Sequence, residues 1–224
     1  MQGPDPFRAS GKSTLLRLIA GLERADGGTI WYGPLPHTRL SLASIRRSIA
    51  VAWQTPDLLR GSLRSNIVYG VEAVSEERLR DVLVVCQLAD LVASLPDGLE
   101  TPVAEWGSTL SGGEQQRLSL ARALTRDTPV LLLDEVTSNL DPLTEERLMH
   151  DLVEFTRGRT VVMASHRPTT LRYVDQVVKV TAGRVVLEST LTPGSALKGS
   201  ETLLRTRAHT SPPGANRRGR RVFP

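Results

Sequence analysis

With one cysteine in 224 residues, Cys86, the chain has no internal disulfide framework. That cysteine lies in an apolar helical stretch and reads as a small core residue rather than a redox group. No apolar run approaches the length needed to cross a bilayer, and the opening Met-Gln-Gly-Pro-Asp-Pro-Phe-Arg has no apolar core of the kind a signal peptide carries. A cytoplasmic location is therefore expected, with any membrane work done through a partner. A true surplus of base is missing as well. The net charge of +4 comes from six arginines after Glu201, so residues 1 to 204 carry 22 basic against 24 acidic groups. That balance excludes a folded basic surface for nucleic acid. No sustained heptad run separates Thr14 from Ser111, which excludes a long inserted coiled coil.

Hydrophobic residues at 40% and charged residues at 23% are ordinary for a soluble globular protein. The length suits one domain with a substantial core, or one domain with a subsidiary lobe. Its chemistry is concentrated in four places. Ser-Gly-Lys-Ser-Thr at Ser10 to Thr14, followed by Leu-Leu-Arg-Leu-Ile-Ala-Gly, reads as a loop entering an amphipathic helix, the second half of a phosphate-binding loop. Lys12 is placed to reach β- and γ-phosphates and Ser13 a Mg²⁺, while the N–H groups of Gly11 to Thr14 face phosphate oxygens. The complete pattern has glycine where Pro6 stands, and proline offers neither the N–H nor the free φ of a tight turn. Leu-Ser-Gly-Gly-Glu-Gln-Gln-Arg at Leu110 to Arg117 is a turn opening a helix, with Ser111, Gly112 and Gly113 at an N-terminus suited to an anion. Val130 to Glu135 is an apolar run ending in two acids, a buried parallel strand that delivers Asp134 to a Mg²⁺ and Glu135 to a water. Ser-Asn-Leu-Asp follows at Ser138 to Asp141. Further on, Val161 to His166 is a second buried strand with a histidine at its carboxyl end.

At these residues the chain resembles the nucleotide-binding domain of ABC transporters, in particular the half that exporters fuse to or pair with a membrane domain. The resemblance runs over roughly residues 11 to 190. It implies an α/β P-loop NTPase fold, a RecA-like mostly parallel sheet flanked by helices, with a small helical subdomain at about residues 72 to 118. It implies ATP and Mg²⁺ as ligands. Lys12, Gln54, Glu135 and His166 take the catalytic roles, and Ser13, Gln54 and Asp134 face the metal. Ser10 and Gly11 to Thr14 hold nucleotide. Ser111, Gly112, Gly113 and Asp141 close on ATP held by a second nucleotide-binding domain, so that two domains sandwich two nucleotides. The implied partners are that second domain and a transmembrane domain, with no specific nucleic acid, and the place is the cytoplasmic face of the membrane. The family also has glycine where Ala9 stands, and a leading antiparallel region with an adenine-stacking aromatic before the loop. That region is expected to be partly missing here, as in an amino-terminal truncation or a misplaced start.

Between the motifs, Trp31 and Tyr32 are read as part of the sheet, and Leu42 to Arg47 as a helical turn. Ile49 to Trp53 is read as a buried strand, and Ser62 to Ile67 as a helix start. An exposed Leu58/Leu59 surface is where the coupling contact with transmembrane helices is expected. Ser75 to Leu95 reads as helical, the small helical lobe, with Ser75 as its N-cap and Glu76 and Glu77 near the positive end of the dipole. Thr101 to Gly107 resembles an exporter loop in which Glu105 senses the membrane domain, with Trp106 in place of an arginine. Pro142 to Phe155 is read as a helix with Glu145 and Glu146 in its first turns. Val174 to Val180 and Arg184 to Leu187 are read as a closing strand pair around Ala182 and Gly183. Residues 191 to 224 are read as a disordered Pro/Gly/Arg-rich tail. Two alternatives stand beside transport-coupled ATP hydrolysis: a truncated non-catalytic remnant unable to bind ATP, and an ATPase of the DNA-repair or chromosome type.

Overall fold

A computed structural model describes residues 11–104, 109–181, 184–190 and 202–206. The first half contains α1 (Lys12–Ile19), β1 (Trp31–Tyr32), β2 (Leu35–Pro36), α2 (Leu42–Ser48), β3 (Ile49–Ala52), β4 (Gly61–Ser62) and α3 (Leu63–Ile67). Then come α4 (Glu76–Val85), α5 (Ala89–Ser94), β5 (Pro102–Val103), α6 (Gly112–Thr125) and β6 (Val130–Asp134). The chain continues through α7 (Pro142–Phe155), β7 (Thr160–Ser165), β8 (Gln176–Thr181), β9 (Arg184–Thr190) and β10 (Thr202–Thr206).

The main sheet has the order β3-β6-β7-β10-β8-β9. β3, β6 and β7 are parallel neighbours, registered Ala52 against Leu133 and Asp134 against Ala164. Their carboxyl ends therefore lie side by side, where open α/β sheets take their ligands. β6 is the centre of the packing. Leu131, Leu132 and Leu133 are all 0% exposed. Successive side chains of a strand point to opposite faces. Leu131 and Leu133 accordingly join the larger cluster with α4, α6 and α7, and Leu132 joins a smaller one with Leu16 of α1 and Ile45 of α2.

The α3 to α6 segment forms the helical lobe against the first face. Ser62 and Ser65 cap α3 reciprocally, and Ser75 accepts from the Arg78 amide at the start of α4. The stretch Ser75 to Leu95, read as helical, is two helices, α4 and α5, with a break at Gln87, whose φ is +53°. The Leu88 amide turns back to the Leu83 carbonyl and the Gln87 amide to that of Val84, a left-handed helix stop of the kind glycine usually makes. The Gln87 side chain anchors it by donating to Val84 O and Asp151 Oδ2. Cys86 sits just before the break, fully buried as expected.

Three other expectations change. Among the described residues, Trp31 and Tyr32 pair only with Leu35 and Pro36, in a separate two-stranded ribbon that turns at Gly33. Leu58 is buried in the larger cluster and only Leu59 faces solvent, so the two do not form one exposed surface. Thr202–Thr206, within the stretch read as a structureless tail, is β10, antiparallel to both β7 and β8. It supplies partners to two rows of backbone groups that would otherwise face each other unpaired. Pro6, Ala9, Ser10, Glu105, Trp106 and the Ala182-Gly183 turn lie outside the described residues, as does any strand before Gly11. Among the described residues no helix is long and apolar enough to cross a membrane.

Candidate functional site

Four elements present their ends to one place. Gly11, at φ +88°, turns the chain left-handed into α1, a conformation that glycine takes without steric cost. Lys12 and Ser13 follow on the first turn, where free N–H groups and the helix dipole favour an anion. β6 ends on Asp134, with Glu135 next. Gln54 lies just beyond β3, and His166 just beyond β7.

Glu135 is where these groups meet. Its Oε2 accepts from Gln54 Nε2 at 3.0 Å and stands 3.3 Å from His166 Nδ1, while its Oε1 lies 3.8 Å from Lys12 Nζ. Glu135 has φ +50°, one of two non-glycine residues in that region among those described. The backbone there is held by the Glu135 amide donating to Ala164 O and its carbonyl accepting from Ser138 N. Such conformations cluster at functional sites, where the surroundings hold them. Four of the predicted residues, Lys12, Gln54, Glu135 and His166, thus converge at one carboxylate.

Asp134 has a different environment. It is buried, and burial pushes its carboxyl above the ordinary range. A hydrogen bond with the Ser13 side chain opposes that rise, and the neighbouring Glu135 charge adds to it. A hydroxyl and a carboxylate in contact beside a helix N-terminus are hard oxygen donors, the set that suits a Mg²⁺ also carrying water and phosphate oxygens. Gln54 is near enough to Glu135 to share that space. The residues present fit the metal that the motif implies.

Ser111, Gly112 and Gly113 belong to a second group of contacts. Ser111 caps α6, and its amide and hydroxyl both donate to Glu114 Oε2 at 2.7 Å. Ser111 and Gly112 face solvent. A Cβ on Gly113 would meet Asn139 O at 3.1 Å, so the absence of a side chain lets the start of α6 lie on the Ser138–Asp141 loop. Asp141 caps α7, accepting from the Leu143 and Thr144 amides at 3.1 and 3.0 Å. Hydrogen bonds from Thr144, its side chain first, hold the Asp141 carboxyl below its ordinary range. Thr14 is exposed on the first turn of α1.

Three residues with structural weight in the site were given no part in it by the sequence. Gln116 is buried, donates to Ser138 Oγ at 2.8 Å and to Gln54 O at 3.4 Å, and accepts from Asn139 N at 3.1 Å. It therefore joins α6 to two of the loops. Glu145 stands in the first turn of α7 as expected, and it is buried there and paired with Arg167 at 2.8 Å. Arg167, next to His166, also donates to Ser138 O at 2.8 Å and Leu140 O at 3.0 Å. The only hint in the sequence was the position of Glu145 one turn into an amphipathic helix, and that does not name a partner.

The family model described as ABC transporter matches residues 9–138. Among curated proteins, the chain is 40% identical over 182 residues to the mycobactin import ATP-binding/permease protein IrtB of Mycolicibacterium smegmatis, covering 81% of this chain and 32% of that protein. It is 37% identical over 178 residues to the ATP-dependent lipid A-core flippase of Bordetella pertussis, covering 79% and 29%. Among solved structures it is similar to a bacterial Atm1-family ABC exporter with ATP bound. The TM-score there is 0.76 at 31% identity, over 79% of this chain and 31% of the other. The chain spans about a third of the length of the curated relatives it matches.

Proposed function

The chain belongs to the ABC transporter family, and on that premise we propose that it binds and hydrolyses ATP to drive transport through a transmembrane partner. The observation that carries this is the meeting of Gln54, His166 and Lys12 on the Glu135 carboxylate, at the aligned ends of three parallel strands.

ATP enters with its phosphates on the N-terminal turn of α1, where Lys12 and the backbone N–H groups of Gly11 to Thr14 neutralise β- and γ-oxygens. Ser13 and Asp134, with Gln54, hold Mg²⁺. The metal supplies charge neutralisation on the phosphate oxygens. Lys12 exchanges its distant ion pair with Glu135 for phosphate, which leaves the Glu135 carboxylate to accept a proton from the attacking water. Water oxygen bonds to the γ-phosphorus as the bond to the ADP oxygen breaks, and His166 steadies the γ-phosphate through its ring N–H. Ser111, Gly112, Gly113 and Asp141 face the nucleotide of a second copy or a homologous domain. The lobe at about residues 72 to 118 moves as that sandwich closes and opens. In this reading the working place is the cytoplasmic face of the membrane, reached through the transmembrane partner.

The test is Glu135→Gln. It removes the proton acceptor while keeping the shape, so hydrolysis should fall by at least about 100-fold, in the range that loss of a positioned base produces. With Mg-ATP the variant should accumulate as a nucleotide-bound dimer on size exclusion. Turnover at the parental rate, or a strictly monomeric protein at saturating Mg-ATP, would contradict the proposal.

A further inference from the structure

The loop Ser138–Asp141 joins the acid-bearing strand to α7, and it is gripped from two sides. From α6, Gln116 holds the Ser138 hydroxyl and the Asn139 amide. From beyond β7, one Arg167 nitrogen, Nη2, donates to two loop carbonyls, Ser138 O at 2.8 Å and Leu140 O at 3.0 Å. The other nitrogen, Nη1, donates to Glu145 Oε2 at 2.8 Å. Glu145 is 5% exposed and takes two further bonds, from the Thr137 hydroxyl at 3.0 Å on its other oxygen and from Thr169 at 3.2 Å. The planar guanidinium therefore spans the loop and its buried counter-charge at once, which the point charge of a lysine cannot do.

We infer that Arg167, locked by Glu145, is a positioning residue that fixes the Ser138–Asp141 loop relative to His166 and Glu135. The geometry leaves little slack. Arg167 is bonded to the chain directly after His166, and its own amide donates to Ser165 Oγ at 3.1 Å. The loop it holds begins at the Ser138 amide, which donates to Glu135 O at 3.1 Å. Displacing the guanidinium thus releases both sides of the γ-phosphate site together, although Arg167 touches no reacting atom. The effect on hydrolysis rests on the proposed ATPase reading, whereas the grip on the loop does not.

The test compares the full chain with Arg167→Lys, which keeps the charge beside Glu145 and loses the fork to the carbonyls. Amide hydrogen exchange is read by mass spectrometry over the Ser138–Leu140 loop and over β6. The loop should exchange at least about tenfold faster while β6 is unchanged, as expected of a local opening. In steady-state hydrolysis, kcat should fall about tenfold with KM for Mg-ATP within about twofold, the signature of lost transition-state alignment. Loop protection equal to the parent overturns the inference. So does faster loop exchange with kcat unchanged, or a rise in exchange of loop and β6 alike, which marks a general structural defect. If the parent itself does not hydrolyse ATP, the ATPase reading fails and loop exchange alone decides whether Arg167 holds the loop. Glu145→Gln, which keeps the volume and the Thr137 contact, is read in the same way should the lysine variant fail to fold, with about a threefold rise in loop exchange expected.

Discussion

Asp134 and Glu135 are consecutive, yet their backbone and surroundings give them opposite work. Asp134 ends a buried strand, and burial raises its carboxyl pKa, whereas Glu135 turns left-handed into the cleft and gathers three donors. An acid whose pKa is raised on folding holds its proton more tightly in the native state. Its contribution to stability is therefore greatest below the ordinary carboxylate range and declines as pH rises through the raised value. Asp134→Asn should flatten that decline and, without ligand at neutral pH, melt higher than the parent. On the proposed role of Asp134 at the metal, the order should reverse with Mg-ATP, since the variant would lose that ligand and the stabilisation that binding provides. Thermal melts from acid to neutral pH, with and without Mg-ATP, check both. At this scale the sequence was legible wherever a motif fixes spacing, as for Lys12, Ser13 and Asp134. It was not legible for Gln116 or Arg167, whose partners lie 22 and 29 residues away at Ser138. No local pattern encodes such a meeting.

Strand β6 shows what an element contributes beyond its terminal acids. Each of its central leucines fills space on one side or the other of the sheet, and none is exposed. Leu132→Ala should cost about 2–5 kcal/mol by leaving a cavity in the smaller cluster beneath α1. Val84→Ala on the exposed face of α4 should cost less than about 0.5 kcal/mol. Urea unfolding at matched slopes measures the two. Helix and strand identities were readable from periodicity and from the start signals at Ser62 and Ser75, where α3 and α4 begin, whereas the Asp141 cap of α7 was not read. The break between α4 and α5 was not readable. A glutamine in a left-handed turn carries no sequence signal, and what holds it is Asp151, on a helix more than sixty residues later.

Over the whole molecule, the sheet is parallel at one side and antiparallel at the other, with β10 as the hinge between the two patterns. β10 was invisible in sequence because its five residues lie inside a stretch without periodicity, and its pairing depends on a slot that other strands create. Removing residues 191 to 224 should open that slot. Amides of β7 and β8 should then lose protection in hydrogen exchange, and the midpoint of thermal unfolding should fall by several degrees, since β8 and β9 would lose their attachment to β7. A merely solvated tail would leave both measurements as they were.

One short strand supplies side chains to both cores, and this makes it the molecule's fulcrum. Part of a load applied to the helical lobe, or to α1, is shared across Leu131, Leu132 and Leu133, which end two residues short of Glu135. On the proposed ATPase reading, a disturbance far from the nucleotide should therefore register as a change in timing of the chemistry rather than as a loss of grip on the fuel.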